Sequence, residues 1–141
     1  MGTANLVAAA ERAGGVQRFV LVSSIGADDP LFPLNLFFGV LLMKKQGELA
    51  LQRSGLPHAI LRPGGLVDAP RRGAAEGGVV VGGADAFGLP PRRRPGSVLR
   101  AQVAAAAIAA LVEPAAAGKV VELVQEAGAP ARPWAELFAS V

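Results

Sequence analysis

The sequence has no cysteine and no tyrosine, a single histidine and a single tryptophan among its 141 residues. The missing cysteines exclude a disulfide framework, a thiol nucleophile and a zinc–thiolate site. No Gly-x-Gly-x-x-Gly, Gly-x-x-Gly-x-x-Gly or Gly-x-x-x-x-Gly-Lys run occurs; several of the 18 glycines come as adjacent pairs. The backbone cradle that usually holds a pyrophosphate at a helix N-terminus is therefore not encoded here. The first residues, Met1-Gly2-Thr3-Ala4-Asn5, form neither a basic n-region nor an apolar core, so they do not read as a secretory signal. Long hydrophobic runs are also lacking. The apolar stretch from Leu31 to Met43 is broken by Pro33 and Asn35 and is shorter than the roughly 18 residues of a spanning helix, so no transmembrane segment is expected.

What is present is mostly apolar. Hydrophobic residues make up 52% of the chain and charged ones 18%, a balance that suits a packed core rather than a disordered segment. The net charge is +3. Its most concentrated runs, Arg71-Arg72 and Arg92-Arg93-Arg94, lie in loop-like sequence with no aromatic residues interleaved to stack bases, so solvated basic loops fit better than a nucleic-acid surface. The only histidine, His58, opens a strand, far from Ser23 and Ser24 at the end of another. A Ser-His-acid hydrolytic site is thus poorly supported.

Periodicity alternates between helix and strand. Residues 3–13 predict a short alanine-rich helix closed by Gly14-Gly15. Val16 to Ser24 predicts a strand whose run Phe19-Val20-Leu21-Val22 suits burial on both faces. A helix is expected from Leu34 to Arg53, with Leu34, Phe37, Phe38, Leu41, Leu42 and Leu49 at helical spacing and Gly55 as its stop. Lys44 and Lys45 fall four and three residues before Glu48 and share its surface. Strands follow at 58–61 and 79–81, the latter inside a glycine- and proline-rich connection covering 63–96. Ala101 to Val112 predicts a helix, 119–124 a strand, and 133–141 a last short helix. The class is α/β with a parallel sheet.

Two segments carry the candidate chemistry. In an open parallel sheet, ligands sit beyond the carboxyl ends of the strands, where Ser23 and Ser24 fall. Arg62-Pro63-Gly64-Gly65-Leu66 breaks a second strand into a glycine turn at the equivalent end. With Lys44 between them, these segments resemble the catalytic half of the short-chain dehydrogenase/reductase superfamily, in its atypical NAD(P)H-binding, NmrA-like branch. Gly2-Thr3-Ala4-Asn5-Leu6 and Leu34-Asn35-Leu36-Phe37 to Gln46 are similar to that branch too, the second to its cyanobacterial and plastid members. Ser97 to Ala104 is similar to an Ile-Ser-Arg-Ala-Asp-Val-Ala pattern, with Leu99 and Gln102 replacing the usual Ser and Asp.

The resemblance implies a Rossmann-like parallel sheet with flanking helices that lacks its N-terminal, glycine-rich βαβ half. Residues 1–141 are then expected to be the C-terminal portion of one NAD(P)-binding domain, with an exposed sheet edge for a protein partner to cover. It implies NADP or NAD as cofactor, with Ser23, Ser24, Lys44, Pro63, Gly64 and Gly65 as cofactor-binding residues. Without a pyrophosphate cradle, this portion alone is expected to bind the dinucleotide weakly or not at all. The superfamily's proton donor is a Tyr four residues before the Lys; here that position is Val40, so catalysis loses its usual acid. An oxidoreductase acting on a small molecule is the first expectation and a non-catalytic scaffold the alternative, in the plastid stroma or the cytoplasm.

Overall fold

The computed structural model describes residues 2–36, 38–70 and 74–141. Met1, Phe37, Arg71 and Arg72, on which some of the sequence expectations rest, lie outside these. The central feature is a four-stranded sheet built from β1 (Phe19–Val22), β2 (His58–Pro63), β6 (Val120–Glu126) and β4 (Gly78–Gly82), in that spatial order. β1, β2 and β6 run parallel, and β4 closes the far side antiparallel to β6. A second, two-stranded parallel sheet pairs β3 (Gly65–Val67) with β5 (Ser97–Leu99). The 63–96 connection therefore contributes one strand to each sheet. Among the described residues, no helix is long and apolar enough to cross a membrane.

Alternation along β2 and β6 assigns the two faces. Ala59, Leu61, Val121 and Leu123 pack into one cluster with Val103, Ala106 and Ala110 of α3 (Arg100–Val112). The small alanines let α3 lie close to the sheet, and Leu137 and Phe138 of α4 (Trp134–Ala139) complete that layer. Ile60 points to the opposite face. It meets Val7 of α1 (Gly2–Ala13) and Leu51 of α2 (Val40–Arg53). α1 precedes β1 and α2 links β1 to the parallel β2, so both helices run antiparallel to the strands. Their first turns consequently sit at the carboxyl edge of the sheet.

Two sequence expectations need correction. The helix expected from Leu34 is divided: Pro33–Leu36 forms a single 3-10 turn, and α2 begins only at Val40. Between them the backbone turns left-handed at Phe38 (φ 58°) and Gly39 (φ 66°), which breaks the hydrogen-bond ladder. The strand expected over 16–24 is shorter; both its faces are covered, Val20 toward α3 and Phe19 and Leu21 toward α1 and α2, but its side chains are only partly buried. Among the described residues it pairs only with β2, whose register against it begins at Phe19↔His58. His58 is half-buried, as expected for a strand-opening residue.

Arg18, just before β1, has a structural task that its place in the sequence did not announce. Its Nη1 donates to the carbonyls of Ala110 (2.8 Å) and Glu113 (2.7 Å), satisfying acceptors exposed at the end of α3. Arg18→Met keeps the aliphatic stem but loses both charged donors. It should destabilise the chain by about 1–2 kcal/mol, read as a lowered urea midpoint at unchanged m-value.

Candidate functional site

On the α2 face of the sheet, Arg62 and Glu122 are register partners on β2 and β6. Both are buried, as is Glu48 on α2. Glu48 lies seven residues after the buried Leu41 and three before the buried Leu51, so the helical period turns it toward the sheet. Arg62 Nε donates to Glu48 Oε1 (2.9 Å) and its Nη2 to Glu48 Oε2 (2.6 Å), a two-pronged pair. The same Nη2 lies 2.6 Å from Asp28 Oδ2, in the β1–α2 loop, and Nη1 lies 3.5 Å from Glu122 Oε1. Lys45 Nζ bonds Asp28 Oδ1 and comes within 3.6 Å of Glu48 Oε2. Glu122 also accepts the backbone N–H groups of Asp85 (3.1 Å) and Phe87 (2.8 Å). Five segments thus converge on one guanidinium.

The expectation that Glu48 lies on the surface with Lys44 and Lys45 is therefore corrected. Glu48 is a core residue held by Arg62, and Lys45 is the lysine paired with it. Burial works to raise the Asp28 carboxyl, but hydrogen bonds from Lys45 and Arg62 outweigh it and leave the group below its ordinary value of 3.8. Burial pushes the Glu122 carboxyl up, and the Phe87 and Asp85 N–H bonds and the Arg62 charge only partly offset that. Arg62 pays burial as well, yet Glu48 and Asp28 raise its affinity for the proton further.

Beyond this network lies the carboxyl edge. Backbone bonds Ser23 N–Leu61 O (2.7 Å) and Ile25 N–Pro63 O (3.1 Å) carry the β1–β2 pairing past the strand ends. There Ser24, Pro63, Gly64 and Gly65 line one cavity of about 340 Å³, together with Leu34 and Ser97. Four of the six expected cofactor residues are thus brought together. Ser23 is buried one residue earlier, and its Oγ has no hydrogen-bond partner among the described residues. Lys44 lies elsewhere, in a cleft of about 300 Å³ between the first turns of α1 and α2, with Thr3, Val40 and Met43. Both openings face the carboxyl edge.

The two glycines of the turn do different work. A Cβ on Gly64 would collide with the Gly96 carbonyl oxygen, whereas one on Gly65 would press on Ser97 Oγ at 3.3 Å and touch the Gly96 oxygen at an ordinary 3.8 Å. The absence of a side chain at Gly64 is thus required by the protein's own backbone, and at Gly65 it leaves room in the cavity. The basic loop is exposed, as expected, and it is also tethered to the fold. Arg92 lies within 3.6 Å of Asp29, and Arg93 pairs with Glu126 while stacking over Phe87. Arg100 opens α3 and pairs with Asp68 (2.7 Å) beside a separate cavity.

A cavity of this size is at the small end of ligand pockets and suits one end of a dinucleotide rather than all of it. The Ser24 hydroxyl and the space beside Gly65 on its lining fit a planar amide-bearing ring, with the unpartnered Ser23 hydroxyl buried one residue behind. The parallel sheet with its helices, opening at the carboxyl edge, defines a Rossmann-like nucleotide-binding fold. Residues 1–114 match the NAD(P)H-binding family, and the chain belongs to that family. It is 42% identical over 149 residues to an uncharacterised chloroplastic protein of Arabidopsis thaliana, covering 99% of this chain and 49% of that protein. It is 52% identical over 69 residues to the chloroplastic protein TIC 62 of Oryza sativa subsp. japonica, covering 47% of this chain and 14% of the relative. Among solved structures, it resembles a protein from Bacillus halodurans described as an NAD-dependent epimerase/dehydratase. The TM-score is 0.74 at 30% identity, over 99% of this chain and 58% of that one. The chain spans about half the length of its full-coverage Arabidopsis relative.

Two outcomes follow from the buried network. Arg62→Met leaves Glu48, Glu122 and Asp28 without their shared cation. It should cost about 3–5 kcal/mol, more than Glu48→Met, which removes only one of the carboxylates; chemical denaturation of both variants ranks them. Asp28 has a lowered folded value, so its contribution is fully present above its unfolded value and is lost as pH falls through the folded one. Glu122, being raised, acts with the opposite sign: its contribution is present at acid pH and fades as pH rises through its folded value. Asp28→Asn should therefore be less stable at neutral pH yet lose less stability than the parent on acidification below about pH 4, as read by thermal unfolding against pH.

Proposed function

We propose that residues 1–141 form the carboxyl-terminal portion of one NAD(P)-binding Rossmann-like domain and contribute its nicotinamide-facing wall, in a reductase acting on a small molecule. The observation that carries this reading is the convergence of Ser24, Pro63, Gly64 and Gly65 on one cavity at the carboxyl edge. NAD(P)H, when bound, supplies the hydride. The chain's own part is to position and shield: Gly65 leaves space for the ring, Pro63 and Gly64 form the wall, and the Ser23 and Ser24 hydroxyls are the polar groups on hand to orient it. Lys44 joins the same site if one ligand reaches both openings, which is the arrangement a ribose-holding role requires. The chloroplastic relatives support a plastid setting, with the stroma as the compartment we favour. The outer side of β1, which among the described residues pairs only with β2, supports a further strand or protein partner along that edge.

A second reading, a cofactor-responsive module without turnover, is favoured by one observation. Among the described residues no titratable side chain lines the cavity, and the chain has no Tyr to deliver a proton.

Saturation-transfer NMR of the chain with NADPH tests the first reading even at weak affinity. Nicotinamide protons should receive saturation more strongly than adenine protons, and Gly65→Val, which fills the cavity, should remove the effect while the circular dichroism spectrum is unchanged. Transfer confined to the adenine end, or persisting in Gly65→Val, would refute this placement. NADPH consumption with a quinone or carbonyl acceptor then separates a reductase from a silent module.

A further inference from the structure

The loop after β1 gives the cavity of Ser24 and Gly65 its one aromatic lining residue among those described, Phe32. The ring is half-buried and seated on Gly26. A Cβ added to Gly26 would stand 2.7, 2.8 and 3.1 Å from the ring carbons Cδ2, Cγ and Cε2, so three adjacent ring atoms rest on the bare glycine at similar depth. Gly26 also adopts φ 82°, which costs glycine nothing. The backbone around the ring is fixed by its own bonds. Phe32 N donates to the Asp29 carbonyl (3.1 Å), and Asn35 N donates to the Phe32 carbonyl (2.8 Å). Asn35 Nδ2 donates to the Asp29 carbonyl as well (3.0 Å), which ties the two ends of the turn together. The ring is thus a placed feature of the loop, and the part of its surface that Gly26 does not cover lines the cavity.

The remaining lining has little relief and no charge. Gly64, Gly65 and Gly96 contribute backbone alone, and among the described residues no ionisable side chain borders the cavity. The carboxylates of the same loop are engaged elsewhere, Asp28 by Lys45 and Arg62 and Asp29 by Arg92. Polarity comes from two hydroxyls. Ser24 Oγ donates to the Ile25 carbonyl (3.1 Å), which leaves it an acceptor toward a ligand. Ser97, on β5, lines the cavity too, and its hydroxyl is able to donate to a carbonyl oxygen. An ionic ligand would lose its hydration here and find no counter-charge. A flat conjugated ring would meet an aromatic surface and low backbone walls.

We propose that Phe32 is the platform of the substrate subsite in this cavity, and that the substrate presents to it an uncharged, flat, conjugated ring bearing a carbonyl. The assignment rests on the reading that the Pro63-Gly64-Gly65 turn faces the nicotinamide. The turn then serves the cofactor and the loop after β1 serves the second reactant, each from its own segment of the lining. Phe32 selects by shape and by the absence of charge, and it carries no proton. Gly26 sets how deep the ring sits, because any side chain there would push Phe32 into the space that the substrate occupies.

Saturation-transfer NMR titrations of the chain with menadione, a neutral naphthoquinone, test this, alone and with NADP+ present. Menadione ring protons should receive saturation, whereas 1,4-naphthoquinone-2-sulfonate, the same ring with a negative charge, should receive much less. Phe32→Leu should weaken menadione binding about fivefold, and Phe32→Tyr, which keeps the ring, should retain most of it. Circular dichroism and the urea midpoint establish that both variants are folded. NADP+ should leave the menadione signal in place. Transfer to menadione that is absent, equal for the sulfonate, unchanged in Phe32→Leu or displaced by NADP+ overturns the proposal. Failure of the nicotinamide placement is read separately, as missing transfer to the nicotinamide protons of NADP+, while the dependence of menadione on Phe32 is measured without any dinucleotide.

Discussion

The fold is organised around one buried guanidinium. Arg62 occupies a position on β2 that an aliphatic residue would normally fill, and an unpaired charge there would cost several kcal/mol. The cost is offset because the chain brings Glu48 from α2, Glu122 from β6 and Asp28 from the β1–α2 loop to the same point. Each partner has a second tether, to Lys45 or to the N–H groups of Asp85 and Phe87. Apolar packing holds helix to sheet at Val7, Leu51 and Ile60; the charged cluster fixes where along the sheet the helix stops. The residue after Arg62 begins the cavity wall, so the network sets the level at which that wall starts.

Much of this was legible in the sequence where local pattern and burial agree. The strands around Phe19–Val22, His58–Leu61 and Val120–Val124, the alanine-rich α3 and the Pro-Gly-Gly turn all announced themselves through apolar runs bounded by glycine or proline. Legibility failed where a side chain overrode the local pattern. The expected helix from Leu34 was interrupted because Pro33, Asn35 and Gly39 act together: Asn35 reaches forward to cap the helix six residues on. The burial of Glu48 escapes the sequence reading because the expected stripe, though it includes Leu41, continues through Leu42 and Leu49 and omits Leu51. One signal was available, an Arg standing inside the apolar run Ala59-Ile60-Leu61, which demands a buried acid somewhere in the chain.

At the site, the turn and Ser24 were anticipated, and their convergence follows from parallel strands ending at one edge. What pattern alone did not disclose is the division of labour between adjacent glycines. Gly64 has no room for a side chain against the Gly96 carbonyl, whereas Gly65 borders the cavity. Lys44 lies on the helix after β1, in the neighbouring cleft with α1 rather than on the lining of that cavity.

The charged cluster also constrains how such a sequence can drift. Residues that share one cation do not vary independently: replacing Arg62 strands its carboxylates and replacing one carboxylate weakens the hold of the rest, whereas a concerted exchange for apolar side chains of matched volume can be close to neutral. Neutral paths between sequences of this kind are therefore narrow at these positions, with acceptable intermediates only where water can reach a stranded carboxylate. Asp28, the most exposed of the three acids directly bonded or closest to Arg62, is the point at which substitution is easiest to begin.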